Sequence, residues 1–136
     1  MTRLLIIIIL TLSFYINGQA QSFVASPLME KTVLGNQYGS TLQFQSKKGH
    51  SIGVFYQTTI SNEYDYSGLV LNMRHLNYDK LSLYSFTRIG LANARFFVVA
   101  PAIETRYSIN KNFKLGGAMG IRAGEASIIF RLILEI

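Results

Sequence analysis

From Phe97 to Ile136 the chain alternates. Phe97, Val99, Pro101, Ile103, Thr105, Tyr107 and Ile109 share one parity, and Ala100, Ala102, Glu104, Arg106 and Ser108 fall between them. Asn110-Lys111-Asn112 interrupts the pattern. It resumes with Phe113, Leu115, Gly117, Met119 and Ile121 against Lys114, Gly116, Ala118, Gly120 and Arg122. After Ala123-Gly124-Glu125 it runs a third time, with Ala126, Ile128, Phe130, Leu132, Leu134 and Ile136 against Ser127, Ile129, Arg131, Ile133 and Glu135. A period of two predicts strands, because successive side chains leave a strand on opposite faces. Three such segments joined by tight turns predict an antiparallel meander. A charged inner face and an apolar outer face reverse the needs of a soluble sandwich and suit a barrel whose outside meets lipid.

The preceding chain carries the same signal less evenly. Tyr38, Leu42 and Phe44 alternate with Gly39, Thr41, Gln43 and Gln45; Lys47-Lys48-Gly49-His50 then turns onto Ile52, Val54 and Tyr56, opposed by Ser51, Gly53 and Gln57, with Phe55 breaking the polar face. Gly68 to Arg74 is a strand with Leu69, Leu71 and Met73 outward and Asn72 and Arg74 inward, and Leu81 to Arg88 is a strand of ambiguous facing. Ser22 to Leu28 reads as a short first strand stopped by Pro27. Met29 to Asn36 reads as a loop, as does Ser61 to Ser67, and His75 to Lys80 reads as a turn. The count is eight if Ser22 to Leu28 pairs, and the even strand numbers of closed single-chain outer-membrane barrels favour eight. The expected fold is therefore all-β, an eight-stranded antiparallel up-and-down transmembrane β-barrel. With both termini periplasmic, the turns at Lys47, His75 and Asn110 fall on that side, and the longer loops fall mostly outside.

Residues 1–20 stand apart. Arg3 precedes a nearly continuous apolar run from Leu4 to Ile16, and Gly18-Gln19-Ala20 has the small-x-small form that signal peptidase reads. A signal peptide cleaved after Ala20 is expected, leaving 21–136 as one barrel domain. The apolar run, at 1.5 Å per helical residue, is shorter than the roughly 30 Å of a hydrocarbon core. With no Cys in the chain, a disulfide-stapled module is excluded.

Residues 21–136 hold twelve Lys and Arg against seven Asp and Glu, a balance of +5. The cations are scattered singly through alternating strands, Lys47-Lys48 being the adjacent pair, so nucleic acid is not an expected partner. Eight Tyr and nine Phe supply candidates for interfacial girdles: Tyr107 and Phe113 at one edge, Tyr38 and Tyr56 at the other. Tyr64 and Tyr66, beside Glu63 and Asp65, form either an external recognition tip or part of the headgroup-level girdle.

The inward charges are the candidate functional set: Arg74, Glu104, Arg106, Lys114, Arg122, Arg131 and Glu135. In a lumen that side chains just fill, isolated charges cost several kcal/mol each, so they are expected to pair. The expected partner of Glu104 is Arg122 or Arg131. A plug of ion pairs is one outcome, and a narrow anion-preferring path, given five cations and two carboxylates, is the other. His50 and His75, without Cys or close carboxylates, do not make a zinc site, so neither metal nor cofactor is expected. His75, Asp79 and Ser82 are the weak catalytic alternative, set aside in favour of a non-enzymatic role. Gly116 to Gly120 lacks the Lys-Ser/Thr of a phosphate loop and lies in a strand pattern.

In its leader, dyad alternation, Asn-Lys-Asn turn and final strand running to the last residue, the chain resembles the small outer-membrane β-barrel family, the OmpA/OmpX-like, porin-superfamily proteins of Gram-negative bacteria. The resemblance implies a monomeric barrel in contact with outer-membrane lipid, placed by the barrel-assembly machinery, with a structural or adhesive role or a narrow pore. Such barrels commonly end in an aromatic residue, and Ile136 departs from that. A soluble periplasmic barrel binding a small apolar ligand, with its apolar faces turned inward, is the rival reading. The directions of Glu104, Arg106, Arg122 and Arg131 decide between the two.

Overall fold

The computed structural model describes residues 20–33, 35–60 and 63–136; all of the expected leader but its last residue, Ala20, lies outside them. Eight strands follow one another: β1 (Ala20–Thr32), β2 (Gly35–Ser46), β3 (Ser51–Thr59), β4 (Asp65–Tyr78), β5 (Leu81–Ala92), β6 (Phe96–Ser108), β7 (Phe113–Arg122) and β8 (Glu125–Glu135). Each pairs antiparallel with the next, and β8 closes onto β1. Among the described residues there is no helix.

The register fixes the dimensions. Starting at Ser22, the partners run through Gln45, Ser51, Asn72, Phe86, Ala102, Gly120 and Ser127 and return to β1 at Thr32, ten residues further along. With about 3.3 Å per residue along a strand and 4.8 Å between strands, this shear tilts the strands by about 41° and sets a backbone radius of about 8 Å. The outward stripe of β6 from Phe97 to Tyr107 then spans about 25 Å along the axis, the height of a transmembrane barrel's apolar band.

Burial follows parity around the whole wall. Phe97 is 70% exposed, Phe130 55% and Leu115 46%, whereas Arg122 and Arg131 are 4% and 3% exposed. The barrel is greasy outside and ionic inside, the reverse of an apolar-ligand carrier. Lys31 and Asp65, charged and outward by parity, stand at the loop ends of β1 and β4, and the wall between the rims carries no outward Asp, Glu, Lys or Arg.

Several segments differ from the sequence reading. Met29 to Asn36 is not a loop: β1 runs through to Thr32, and two residues join it to β2. Pro27 does not stop the strand, because it faces outward and pairs with Ser40 of β2, while the ladder to β8 simply omits Ser26 and Pro27. His75 to Lys80 is mostly strand, β4 passing a bulge at His75 before reaching Tyr78. Likewise β4 already begins at Asp65 and β5 continues to Ala92, so connections are short at both rims. Ala123 and Gly124, with φ of 50° and 79°, make the doubly left-handed two-residue hairpin that matches strand twist.

The interior has a thick wall and a thin one. Large side chains enter from β3, β4 and β5: Phe55, Tyr66, Tyr84, Phe86 and Arg88, with Phe55 and Tyr66 in edge contact at 4.6 Å. Next to them around the wall, β6 and β7 contribute Ala100, Ala102, Gly116 and Ala118. Gly68 and Gly90 face each other across β4 and β5; a Cβ on either would lie 2.0–2.2 Å from a carbonyl oxygen of the adjoining strand, so only glycine permits this close approach.

Candidate functional site: the ionic lumen

Each buried carboxylate is shared by two guanidinium groups. In the tier nearer the β1–β2 turn, Glu30 takes a bidentate pair from Arg88, Nη2 to Oε1 at 2.8 Å and Nη1 to Oε2 at 2.9 Å. Arg122 Nη1 adds a third contact to Oε2, and Gln57 Nε2 donates to the same oxygen at 2.9 Å. The two arginines also donate to the amide oxygens of Gln57 and Gln37. Phe55, Tyr66 and Phe86 lie 5.3–6.0 Å from the Arg88 guanidinium, and Tyr64 and Tyr66 lie 5.5–5.6 Å from that of Arg122. Weakly hydrated guanidinium planes accept such aromatic surroundings more readily than an ammonium does.

In the second tier Glu104 binds Arg106 and Arg131. Arg106 Nε donates to Oε1, and Arg131 Nη1 reaches Oε2 at 3.1 Å. Arg131 is further fixed by Ser26 Oγ at 3.0 Å and Thr41 Oγ1 at 3.2 Å. The Tyr84 ring lies 3.6 Å from the Arg106 guanidinium. The Phe86 ring, 4.4 Å from Arg131 and 5.3 Å from Arg88, separates the tiers. Gly116 is in register with both Arg106 and Arg131, and a Cβ there would come within 3.2 Å of Glu104 Oε2. The absent side chain is the space the carboxylate occupies.

Below this tier Gln43 links Thr41, Ser51 and Asn72 by hydrogen bonds. Glu135 closes the terminal end with Lys114 Nζ at 2.7 Å, Gln45 Nε2 at 2.9 Å and Ser22 Oγ at 3.1 Å. Arg74 stands at the same mouth with its guanidinium against Gly49, and its backbone N–H donates to His50 Nδ1 at 3.1 Å. At the opposite mouth Asn36, Gln37, Glu63, Tyr64 and Arg122 line an open vestibule of ≈ 630 Å³.

Of the two partners expected for Glu104, Arg131 is the one it takes, alongside Arg106, while Arg122 pairs with Glu30. Tyr66 is no external tip: it is fully buried, its hydroxyl donating to the carbonyls of Arg88 or Val98 at 3.1 and 3.2 Å. Tyr64 is half-buried at the vestibule. Tyr38, Tyr56 and Tyr107 are exposed on the outer wall, Phe113 is partly exposed, and the Tyr56 hydroxyl lies 3.3 Å from Asp65. Two lumen residues escaped the sequence reading. Glu30 fell in the supposed loop after Pro27, and Arg88 lay in the strand of ambiguous facing. Parity held the signal: Glu30 is in phase with Ser22 and Ser26, and Arg88 with Tyr84 and Phe86. Ser82 donates to Asn77 at 2.8 Å, and no cluster of three or more His, Asp or Glu suited to a metal occurs among the described residues.

No family model matches the chain, and no curated protein does. Solved structures similar to it include a barrel described under the de novo design of transmembrane β-barrels, with a TM-score of 0.75 at 8% identity, covering 87% of this chain and 98% of that one. A second is the solution NMR structure of the designed barrel TMB2.3, with a TM-score of 0.73 at 12% identity, covering 87% and 96%. At these identities the likeness is one of fold.

Proposed function

We propose that this chain is an outer-membrane β-barrel of the OmpA/OmpX-like kind, exported by residues 1–20, cleaved after Ala20, and structural or surface-interacting in role. One observation carries the reading: the outer wall between the rims holds apolar, small and hydroxyl side chains and no outward Asp, Glu, Lys or Arg over about 25 Å of height. Such a continuous apolar band is costly in water, far beyond the few hundred Å² of apolar patch that a soluble monomer exposes. The lumen supports a passive role, because two tiers of shared carboxylates and an amide network occupy a cross-section of about 8 Å backbone radius. Outer-membrane lipid and the barrel-assembly machinery are the partners this reading requires. Fractionation tests it. The protein should sediment with outer membranes after carbonate extraction and migrate differently on gels before and after boiling; release into the soluble fraction would overturn it.

A second reading, a narrow anion-preferring path, draws on the excess of four buried arginines over two buried glutamates. The plug weighs against it, and chloride efflux from liposomes containing the folded protein should match that of empty liposomes.

A further inference from the structure

The charges of residues 21–136 separate by position along the barrel axis. At the terminal rim stand Lys47, Lys48, Arg74, Lys80, Lys111 and Lys114, with Asp79 and Glu135. At the opposite rim stand Lys31 and Arg95, with Glu63, Asp65 and Glu125. One rim is therefore +4 and the other −1, and the enclosed arginines and glutamates account for the remaining +2 of the +5. Lys114 is held by Glu135 inside the mouth. Lys47, Lys48, Lys80 and Lys111 are exposed in three separate turns, spaced around the rim with no carboxylate paired to them among the described residues. Beside them on the outer wall stand Tyr78, Leu81, Tyr107 and Ile109, all exposed. A ring of ammonium groups just beyond an apolar and aromatic edge lies at the depth of lipid phosphates.

We propose that the terminal rim binds anionic phospholipid headgroups. The inference rests on the membrane reading and deepens it. The anion class follows from the donor set: ammonium groups on flexible stems act as point charges for phosphate and do not provide the bidentate fork that a specific carboxylate ligand would call for. Flexible stems spread around a circumference suit many diffusing headgroups better than one bound molecule. The opposite rim, with carboxylates in the majority, repels the same lipids.

The test uses the folded protein in nanodiscs of phosphatidylcholine and phosphatidylglycerol in equal amounts, released and weighed by native mass spectrometry. The wild type should retain phosphatidylglycerol over phosphatidylcholine by roughly tenfold, given the attraction of each lysine to an anionic surface. K47Q/K48Q/K80Q/K111Q should lose that preference, and K31Q/R95Q at the opposite rim should keep it. The preference should also fall between 0.1 and 1 M salt, where the screening length drops from about 10 to 3 Å. Equal retention of the two lipids by the wild type, or equal loss in both variants, would overturn the proposal while leaving insertion intact. Failure of the wild type to enter nanodiscs with a heat-modifiable shift would instead overturn the membrane reading itself, and this inference with it.

Discussion

Glu104 shows how one residue governs a tier of the lumen. Its carboxylate is the counter-charge of Arg106 and Arg131, both buried, so removing it leaves two buried guanidinium groups without a counter-charge. Glu104→Ala should lower stability by about 3–5 kcal/mol, the usual cost of breaking a buried pair from one side. Urea unfolding from lipid vesicles measures it, and an unchanged midpoint would refute the shared pair. Replacing all three partners, E104M/R106M/R131M, should recover much of that loss, since no charge is then stranded. Gly116→Val should destabilise through the same tier, because the new side chain takes the carboxylate's space. Its midpoint should fall even though valine suits a strand elsewhere.

At the scale of the element, the seam between the first and last strands is the irregular part of the wall. Pro27 has no N–H, and the β1–β8 ladder omits it together with Ser26, while pairing with β2 continues past both. Pro27→Val should restore a ladder hydrogen bond and raise stability by about 1 kcal/mol, read as a shift in the same urea midpoint. A decrease would mean that the omission relieves strain in a wall bent to a small radius. The outer face makes the complementary prediction. Met119→Lys, in register with Ile103 and Ile128 at mid-height of the outer band, should cost about 2–4 kcal/mol in bilayers. The same change in a soluble barrel would cost almost nothing, so the measurement separates the two settings.

For the molecule as a whole, shear and strand number decide what kind of lumen this is. Ten residues of shear over eight strands leave an interior that side chains fill, so the four arginines and two glutamates act as core packing that happens to be ionic. Heating should therefore give one cooperative transition, followed as the loss of the fast-migrating gel band. Stepwise loss would indicate that the tiers open separately.

The alternation from Phe97 onward by itself determined the strand class, the meander and the facing of Glu104, Arg106, Arg122 and Arg131, because period-two side-chain placement is a local property of the extended backbone. Phe55, Tyr84 and Phe86 could not be placed in the same way. A ring on one parity reads equally as lipid-facing or lumen-facing until the rest of the wall is known, and here the small residues of β6 and β7 are what admit them. Only the closed structure decided that Glu30 joins the lumen, since Pro27 ends a strand in isolation but survives in one whose N–H at that point faces an omitted rung. The choice between Glu30 and Glu104 as the partner of Arg122 was likewise tertiary. It depends on the ten-residue shear around the barrel, which no single strand encodes.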